Sequence, residues 1–206
     1  IVTYTGDGSD GDVGHGLSSA PEFVISKRRD GTGPWYTLHA SAGVGYLELN
    51  SNIAFQSGSV PFGSSLPTTS VVGATSANRI SGQTFILYCW HSVEGYSKFS
   101  KFTGNGNADG PFVYTGFRPR LLFIKNASTG GRYWAVNDTA RNPNNLADAI
   151  INWDQSIAEY DSSARGVDFL SNGFKVRGND TDINQSGNTI VYGAWGDVPF
   201  KYNNTF

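Results

Sequence analysis

Short runs of apolar residues, separated by glycine-rich and polar segments, recur along the whole chain and predict β-strands. The run EFVISK (residues 22–27) places Phe23 and Ile25 on one face and Val24 on the other, whereas TFILYCW (84–90) and TIVYGAW (189–195) are apolar on both faces. A continuous apolar run of this length is typical of a strand that is covered on both sides. We therefore predict an all-β fold in which several strands are enclosed between layers.

Three sequence blocks occur twice, in the same order. YTGDG (4–8) matches FTGNG (102–106) and PEFVISK (21–27) matches PRLLFIK (119–125), both at an offset of 98 residues. SGQTFILYCW (81–90) matches SGNTIVYGAW (186–195) at an offset of 105, so the second copy is seven residues longer. Repeated blocks with the same glycines indicate an internal duplication, in which the same turns are made twice. We predict two tandem β-sandwich-like repeats of a jelly-roll or lectin-like kind, residues 1–101 and 102–206, packed as one unit.

Two segments of the second copy test this interpretation. The apolar positions between residues 146 and 160 have helical spacing, but the repeat alignment pairs IINWDQSIA (150–158) with YLELNSNIA (46–54), which alternates as a strand does. We predict that residues 150–154 are extended, with a short helical turn before them as the alternative. The run VDFLSNGFKV (167–176) predicts a hairpin, with Asn172-Gly173 at positive φ in its turn.

Composition limits the partners of the chain. The formal net charge is −2 and 16% of the residues are charged, which gives no electrostatic reason to expect a nucleic acid partner. No apolar run is long enough to span a bilayer, so we expect no membrane insertion. Cys89 is the only cysteine and lies within an apolar strand, which predicts a buried, inert thiol. The chain begins at Ile1 and contains no methionine, so we expect a processed product or the C-terminal part of a longer protein.

Several longer motifs resemble one family of phage proteins. These are FTGNGNADGPFVYTGFRPRLLFIK (102–125), WAVNDTARNP (134–143), DFLSNGFKVRG (168–178) and VPFKYNN (198–204), together with the sister pattern in the first half. They resemble a repeat domain at the C-terminus of tail fibre or tail spike-like structural proteins of marine bacteriophages, over essentially the whole chain. The resemblance implies a virion component that acts as an adhesin, assembles as a homotrimer and contacts other virion proteins. It transfers no catalytic residue.

The function that we predict is therefore a non-enzymatic module of a tail fibre or spike, or of the head surface, that presents a binding surface for a host glycan. One alternative is a capsid decoration or fibre-assembly domain without a ligand. A second alternative is a spike domain that degrades polysaccharide, which would need two carboxylates flanking the scissile bond. The four glutamates and thirteen aspartates of the chain form no recognisable catalytic motif.

Aromatic residues supply the candidate glycan site. Sugar sites use exposed tryptophan or tyrosine rings against the C–H face of a sugar, with Asn and Asp side chains fixing its hydroxyls. Trp35-Tyr36 and Tyr133-Trp134 recur at one repeat position, and neighbouring strand residues point to opposite faces, so one ring of each pair is expected to face outward. Trp153-Asp154 stands where the first half has Leu49-Asn50, and such a departure between copies marks a candidate site. The predicted ligand-binding residues are Tyr133, Trp134, Trp153 and Asp154.

We predict no cofactor and no metal. Asn105, Asn107 and Asp109 imitate the opening of a calcium loop and are the calcium candidates, but the glutamate that an EF-hand needs at its twelfth position is Gly116 here. Turn formation accounts for these Asn, Asp and Gly residues. The three histidines, His15, His39 and His91, lack the spacing of a zinc site.

Overall fold

The structure, a computed structural model, describes residues 1–197 and consists mainly of β-strands, which confirms the all-β prediction. The first half contains β1 (Val2–Thr5), β2 (Gly11–Gly14), β3 (Phe23–Arg28), β4 (Trp35–His39), β5 (Gly45–Glu48), β6 (Gln56–Ser57), β7 (Val71–Ala74) and β8 (Thr84–Trp90). The second half contains β9 (Ser97–Thr103), β10 (Phe112–Tyr114), β11 (Pro119–Asn126), β12 (Ala135–Asp138), β13 (Ala149–Asn152), β14 (Tyr160–Asp161), β15 (Val167–Leu170), β16 (Gly173–Val176) and β17 (Thr189–Gly196). A short helix, α1 (Thr181–Asn184), precedes β17, and 3-10 turns occupy Ala40–Ala42, Ser76–Asn78 and Ser163–Arg165.

No helix in the described part of the chain is long and apolar enough to cross a membrane. The motif VPFKYNN lies outside the described residues.

Two six-stranded antiparallel sheets have the same strand order. The first runs β1-β8-β3-β4-β5-β6 and the second runs β9-β17-β11-β12-β13-β14. The register also repeats, because Phe23 of β3 lies opposite Trp90 of β8, and Leu121 of β11 lies opposite Trp195 of β17. The two large sheets thus share one strand order and pair these positions in the same way.

Each large sheet has a small sheet on its outer side. In the first half β2 pairs with β7, and in the second half β10, β16 and β15 form a three-stranded sheet. The extra strand of the second half is β15, the first strand of the predicted hairpin. The predicted boundary between residues 101 and 102 falls inside β9, which is the edge strand of the second large sheet.

The two large sheets face each other and give the molecule three apolar layers. The outer layers lie between each large sheet and its small sheet, and the central layer lies between the two large sheets. Strand β8 contributes to two layers, because Leu87 belongs to the first outer layer and Tyr88 packs against the central one. This double coverage explains why the runs in β8 and β17 are apolar on both faces.

Contacts through the central layer join the halves into one folded unit. The rings of Phe23 and Phe123 are 4.8 Å apart. The Nε2 atom of the fully buried His39 lies 3.0 Å from the carbonyl oxygen of Tyr192. At one margin of the layer the backbone N–H of Phe55 donates to the carbonyl of Ala127, at 2.8 Å.

The repeated Thr-Gly-x-Gly blocks have a steric cause. A Cβ atom on Gly6 would lie 2.4 Å from backbone atoms of Arg79, and one on Gly104 would lie 2.3 Å from the carbonyl oxygen of Gln185. Gly8 and Gly106 have φ angles of 87° and 69°, a region that favours glycine. The same close approach and the same left-handed turn are therefore made in both halves.

The two test segments of the second copy have different outcomes. The strand prediction is confirmed for residues 150–152, which lie in β13, and it is wrong for residues 153–154, which form the turn that follows. Strands β15 and β16 confirm the hairpin. The predicted positive φ at Asn172-Gly173 is wrong, because neither residue has one. Glycine is needed at Gly173 for another reason, since a Cβ atom there would lie 2.1 Å from the carbonyl oxygen of Val113 on β10.

Candidate functional site

The central layer opens to solvent in a cleft of about 600 Å³ between the two large sheets. Both halves contribute to it, and four of the five tryptophans of the chain line it. Only one of its nine lining residues has a polar side chain, an asparagine. We call it the tryptophan cleft, and it is lined by Phe23, Ile25, Trp35, Leu49, Asn50, Trp90, Leu121, Trp153 and Trp195.

Two of these tryptophans come from equivalent strands. Trp90 ends β8 and Trp195 lies near the end of β17, and their rings meet edge to face, with centroids 6.4 Å apart and an interplanar angle of 77°. The contact pairs each residue with its own counterpart in the other half. It places two half-buried indole rings between the sheets.

The other two tryptophans are more exposed. Trp35, at the start of β4, and Trp153, directly after β13, each leave 37% of their surface open to solvent. The Trp153 ring packs against Phe123 of the central layer, at 5.3 Å between centroids. Neither indole N–H donates to a residue within 1–197, so the protein leaves both donors without a hydrogen-bond partner in the described part of the chain.

Backbone hydrogen bonds show which positions of the two halves correspond. The N–H of Trp35 donates to Oδ1 of Asn50 at 2.8 Å, and the N–H of Trp134 donates to Oδ1 of Asp154 at 3.0 Å. The N–H of Leu49 donates to the carbonyl of Trp35 at 2.9 Å. In the same way, the N–H of Trp153 donates to the carbonyl of Trp134 at 3.1 Å. Trp35 therefore corresponds to Trp134, and Leu49 to Trp153.

One of the four predicted ligand-binding residues, Trp134, is corrected by its position. Trp134 is fully buried in the central layer, and its indole N–H donates to the carbonyl oxygen of Glu48 at 2.9 Å. A ligand cannot reach it without opening the interface between the halves. Tyr133 is half-buried and does not line the cleft. The alignment matched Tyr133 with Trp35, one residue away from the true correspondence.

Trp153 and Asp154 have separate roles. Trp153 lies in the cleft, where the sequence placed a candidate ligand contact. Asp154 holds the strand end beside it, because Oδ1 accepts from Trp134, whereas Oδ2 is buried without a hydrogen-bond partner. Burial raises the pKa of this carboxyl group, and the hydrogen bond from the Trp134 backbone opposes the shift.

The alignment alone did not identify Trp90 and Trp195 as site residues. Both recur at the same repeat position, a signal that also fits a core residue. Their part in the cleft depends on the packing of one sheet against the other, which no local sequence pattern describes. The sequence feature that could have identified them is a tryptophan at the end of each strand that is apolar on both faces.

The calcium candidates have their oxygens engaged by protein donors. Oδ1 of Asn105 accepts from the backbone of Asn107 and from Nδ2 of the buried Asn184, and Oδ1 of Asn107 accepts from the backbone of Asp109. The carboxylate of Asp109 pairs with Lys175 at 2.8 Å. The loop is therefore an Asx-rich turn stabilised by Asn184.

No group of three or more His, Cys, Asp and Glu side chains that would hold a metal ion occurs within residues 1–197. The histidines are used individually: Nε2 of His15 lies 3.1 Å from the carbonyl of Thr68, and Nδ1 of His91 lies 2.7 Å from that of Ser92. Cys89 is unpaired, and burial raises the pKa of its thiol to about 11, so the reactive thiolate is suppressed.

Comparison with known proteins gives a family without a described activity. No curated protein and no solved structure matches the chain. The model of a family described as a domain of unknown function, DUF7483, matches residues 1–199. The match extends over both halves and includes every residue of the tryptophan cleft. The chain thus belongs to the DUF7483 family.

Proposed function

We propose that this chain is a non-enzymatic binding module that receives a glycan in the tryptophan cleft. The observation that supports the proposal is the pair of partly exposed indole rings, Trp35 and Trp153, in one cleft between the two large sheets. The volume of about 600 Å³ lies within the range of small-ligand sites. Binding residues held by a rigid scaffold need little reordering when a ligand enters.

The chemistry of the cleft suits a ring that is apolar on its faces and polar at its edge. The indole faces offer apolar surface to the C–H groups of a sugar, and the indole N–H groups are donors for its hydroxyls. Asn50 adds an exposed amide, whose Oδ1 is already occupied by the Trp35 backbone. Glycoside hydrolysis uses two carboxylates, and none of the nine lining residues is acidic.

The virion setting is a proposal that the sequence resemblance supports. In that setting the module is part of a phage tail fibre or spike, or of the head surface, and the glycan belongs to the host. A single shallow site of this kind gives weak affinity, and several copies in a homotrimer supply useful adhesion through effective concentration.

A second function follows from the apolar character of the cleft. Eight of its nine lining residues are aromatic or aliphatic, which also suits an apolar side chain of another virion protein. In that case the domain assembles the particle without binding a receptor.

A glycan array and a host-cell adsorption assay separate the two functions. We compare the wild-type chain with Trp35→Ala and Trp153→Ala, after circular dichroism has confirmed folding. Tyr114→Ala is the matched control, because Tyr114 is 66% exposed on β10, away from the cleft. Glycan binding requires that both tryptophan variants lose adsorption while the control keeps it. If wild type binds no glycan and no host cell whereas the intact virion adsorbs, the assembly function replaces the proposal.

A further inference from the structure

A lysine paired with a tryptophan occurs at the same place in both halves. Lys27 of β3 lies opposite Trp35, and its Nζ atom is 5.9 Å from the centroid of that ring. Nζ of Lys125 on β11 is 5.7 Å from the centroid of the Trp134 ring. Phe23 and Leu121 occupy equivalent positions, opposite Trp90 and Trp195. Lys27 lies four residues after Phe23 and Lys125 lies four residues after Leu121, so the two lysines are equivalent.

In the second half this pair is buried. Lys125 is fully buried, and its ammonium group donates to the carbonyl oxygen of Arg132. Burial lowers the pKa of Lys125 to about 8, and the carboxylates of Asp154 and Asp182 oppose that shift through their charges. Neither carboxylate lies within 4.0 Å of Nζ, so both act on Lys125 only at longer range.

The first half keeps the lysine and lacks both carboxylates. Asn50 occupies the position of Asp154, as the hydrogen bonds to the two tryptophan backbones show. The N–H of Gly8 donates to the carbonyl of Arg79, and the N–H of Gly106 donates to the carbonyl of Asn184, so Arg79 corresponds to Asn184. Ala77 and Asp182 each lie two residues before these acceptors, so Ala77 occupies the position of Asp182. Neutral residues have replaced both acids.

Lys27 is also accessible. Its side chain is half-buried, its neighbour Trp35 is in the open cleft, and Nζ makes one hydrogen bond, to the carbonyl of Gly31 at 3.1 Å. No carboxylate within residues 1–197 lies within 4.0 Å of Nζ, and the nearby Asp30 pairs with Arg28 at 2.6 Å. Two donors of the ammonium group remain for a ligand.

We infer that the tryptophan cleft takes an acidic sugar, whose ring stacks on Trp35 and whose carboxylate binds the ammonium group of Lys27. The ligand then supplies a negative charge that the neutral Asn50 and Ala77 cannot supply. This inference rests on the proposed function and specifies its ligand class. Lys27 lies opposite Trp35, which lines the cleft, so the charged contact with the ammonium group lies beside the apolar contact with the indole ring. This arrangement matches a sugar ring with a carboxylate substituent.

The experiment uses two probes that differ only at C6, which carries a carboxylate in one and a hydroxymethyl group in the other. Methyl β-D-glucuronide and methyl β-D-glucoside are titrated into the ¹⁵N-labelled chain, and the indole N–H signals are followed by NMR. We expect the glucuronide to bind about five-fold more tightly, the factor that one partly exposed charge contact provides. Lys27→Met should remove this preference and leave glucoside affinity within about two-fold. Lys101→Met, at an exposed lysine on β9, should retain the preference.

The outcomes separate this inference from the proposed function. Equal affinity for both glycosides, unaffected by Lys27→Met but lost in Trp35→Ala, overturns the acidic-sugar inference and leaves the glycan site intact. If neither glycoside moves the indole signals at tens of millimolar, the acidic-sugar inference fails, and the array and adsorption assays decide on the proposed function. If an acetylated and amidated Glu-Phe dipeptide binds through Lys27 and the glucuronide does not, the cleft takes an acidic protein segment instead.

Discussion

Acidification should lower the free energy of unfolding, because His39 is buried in its neutral form at the interface between the two halves. The ring is fully buried, lies 5.9 Å from the ring of Phe23 and 6.4 Å from that of Phe123, and has one hydrogen-bond partner, the carbonyl of Tyr192. Nδ1 has none among the described residues. Burial lowers the pKa of His39 from 6.5 to about 4, although the hydrogen bond to Tyr192 acts in the opposite direction.

The sign and size of the effect follow from proton linkage. Between pH 6.5 and pH 4 the unfolded chain binds a proton at His39 and the folded chain does not. The contribution of His39 to stability is therefore complete above pH 6.5 and declines as the pH falls towards 4. A difference of this size in pKa corresponds to about 3 kcal/mol of unfolding free energy.

Chemical denaturation at a series of pH values measures this loss. The wild-type chain is compared with His39→Gln, in which an amide keeps a donor for the Tyr192 carbonyl but does not titrate. Other groups titrate in both proteins, so the difference between the two unfolding free energies isolates His39. We expect wild type to lose about 3 kcal/mol relative to the variant between pH 7 and pH 4. Parallel curves would refute the reasoning. A direct NMR titration of the His39 ring in wild type gives an independent test, and a midpoint near 6.5 would contradict its burial as a neutral group.

Further predictions concern packing, charge and assembly. Gly104→Ala should destabilise the chain by about 2 kcal/mol, because the added Cβ would lie 2.3 Å from a facing carbonyl oxygen. Gly14→Ala, whose Cβ would come no closer than 3.9 Å to another atom, should stay within about 0.5 kcal/mol in the same denaturation assay. Burial lowers the pKa of Lys125 from 10.5 to about 8, so stability relative to Lys125→Met should rise by about 2 kcal/mol between pH 8 and pH 10, and a flat difference would contradict it. Light scattering should give three times the chain mass of 22.2 kDa, whereas a stable monomer at micromolar concentration would contradict the homotrimer.

The sequence was sufficient to predict the all-β class and several individual strands. Alternation and continuous apolar runs identified β3, β8 and β17, and the comparison of the two copies favoured a strand over a helix at residues 150–154, of which 150–152 lie in β13. The helical spacing of the apolar residues alone would have predicted a helix there. In the structure Ile150 of β13 faces an outer layer, and Trp153 belongs to the turn after the strand.

Features that depend on how the sheets pack were beyond the sequence. The pair Tyr133-Trp134 shows that one ring faces inward, but not which one, and the structure buries Trp134. The cleft forms because Trp90 and Trp195 meet across the central layer, and residues 105 positions apart have no local pattern that predicts such a contact. The hairpin glycine Gly173 was assigned to its turn, whereas the approach of β10 is what requires it.

The most direct test of the central proposal is an NMR titration of the wild-type chain with a glycan that the array identifies. The five tryptophans give separate indole N–H signals, so each ring reports on its own surroundings. We expect the signals of Trp35 and Trp153 to shift with one common affinity, while that of the buried Trp134 stays unchanged. Binding without a shift at Trp35 or Trp153 would contradict the tryptophan cleft as the glycan site.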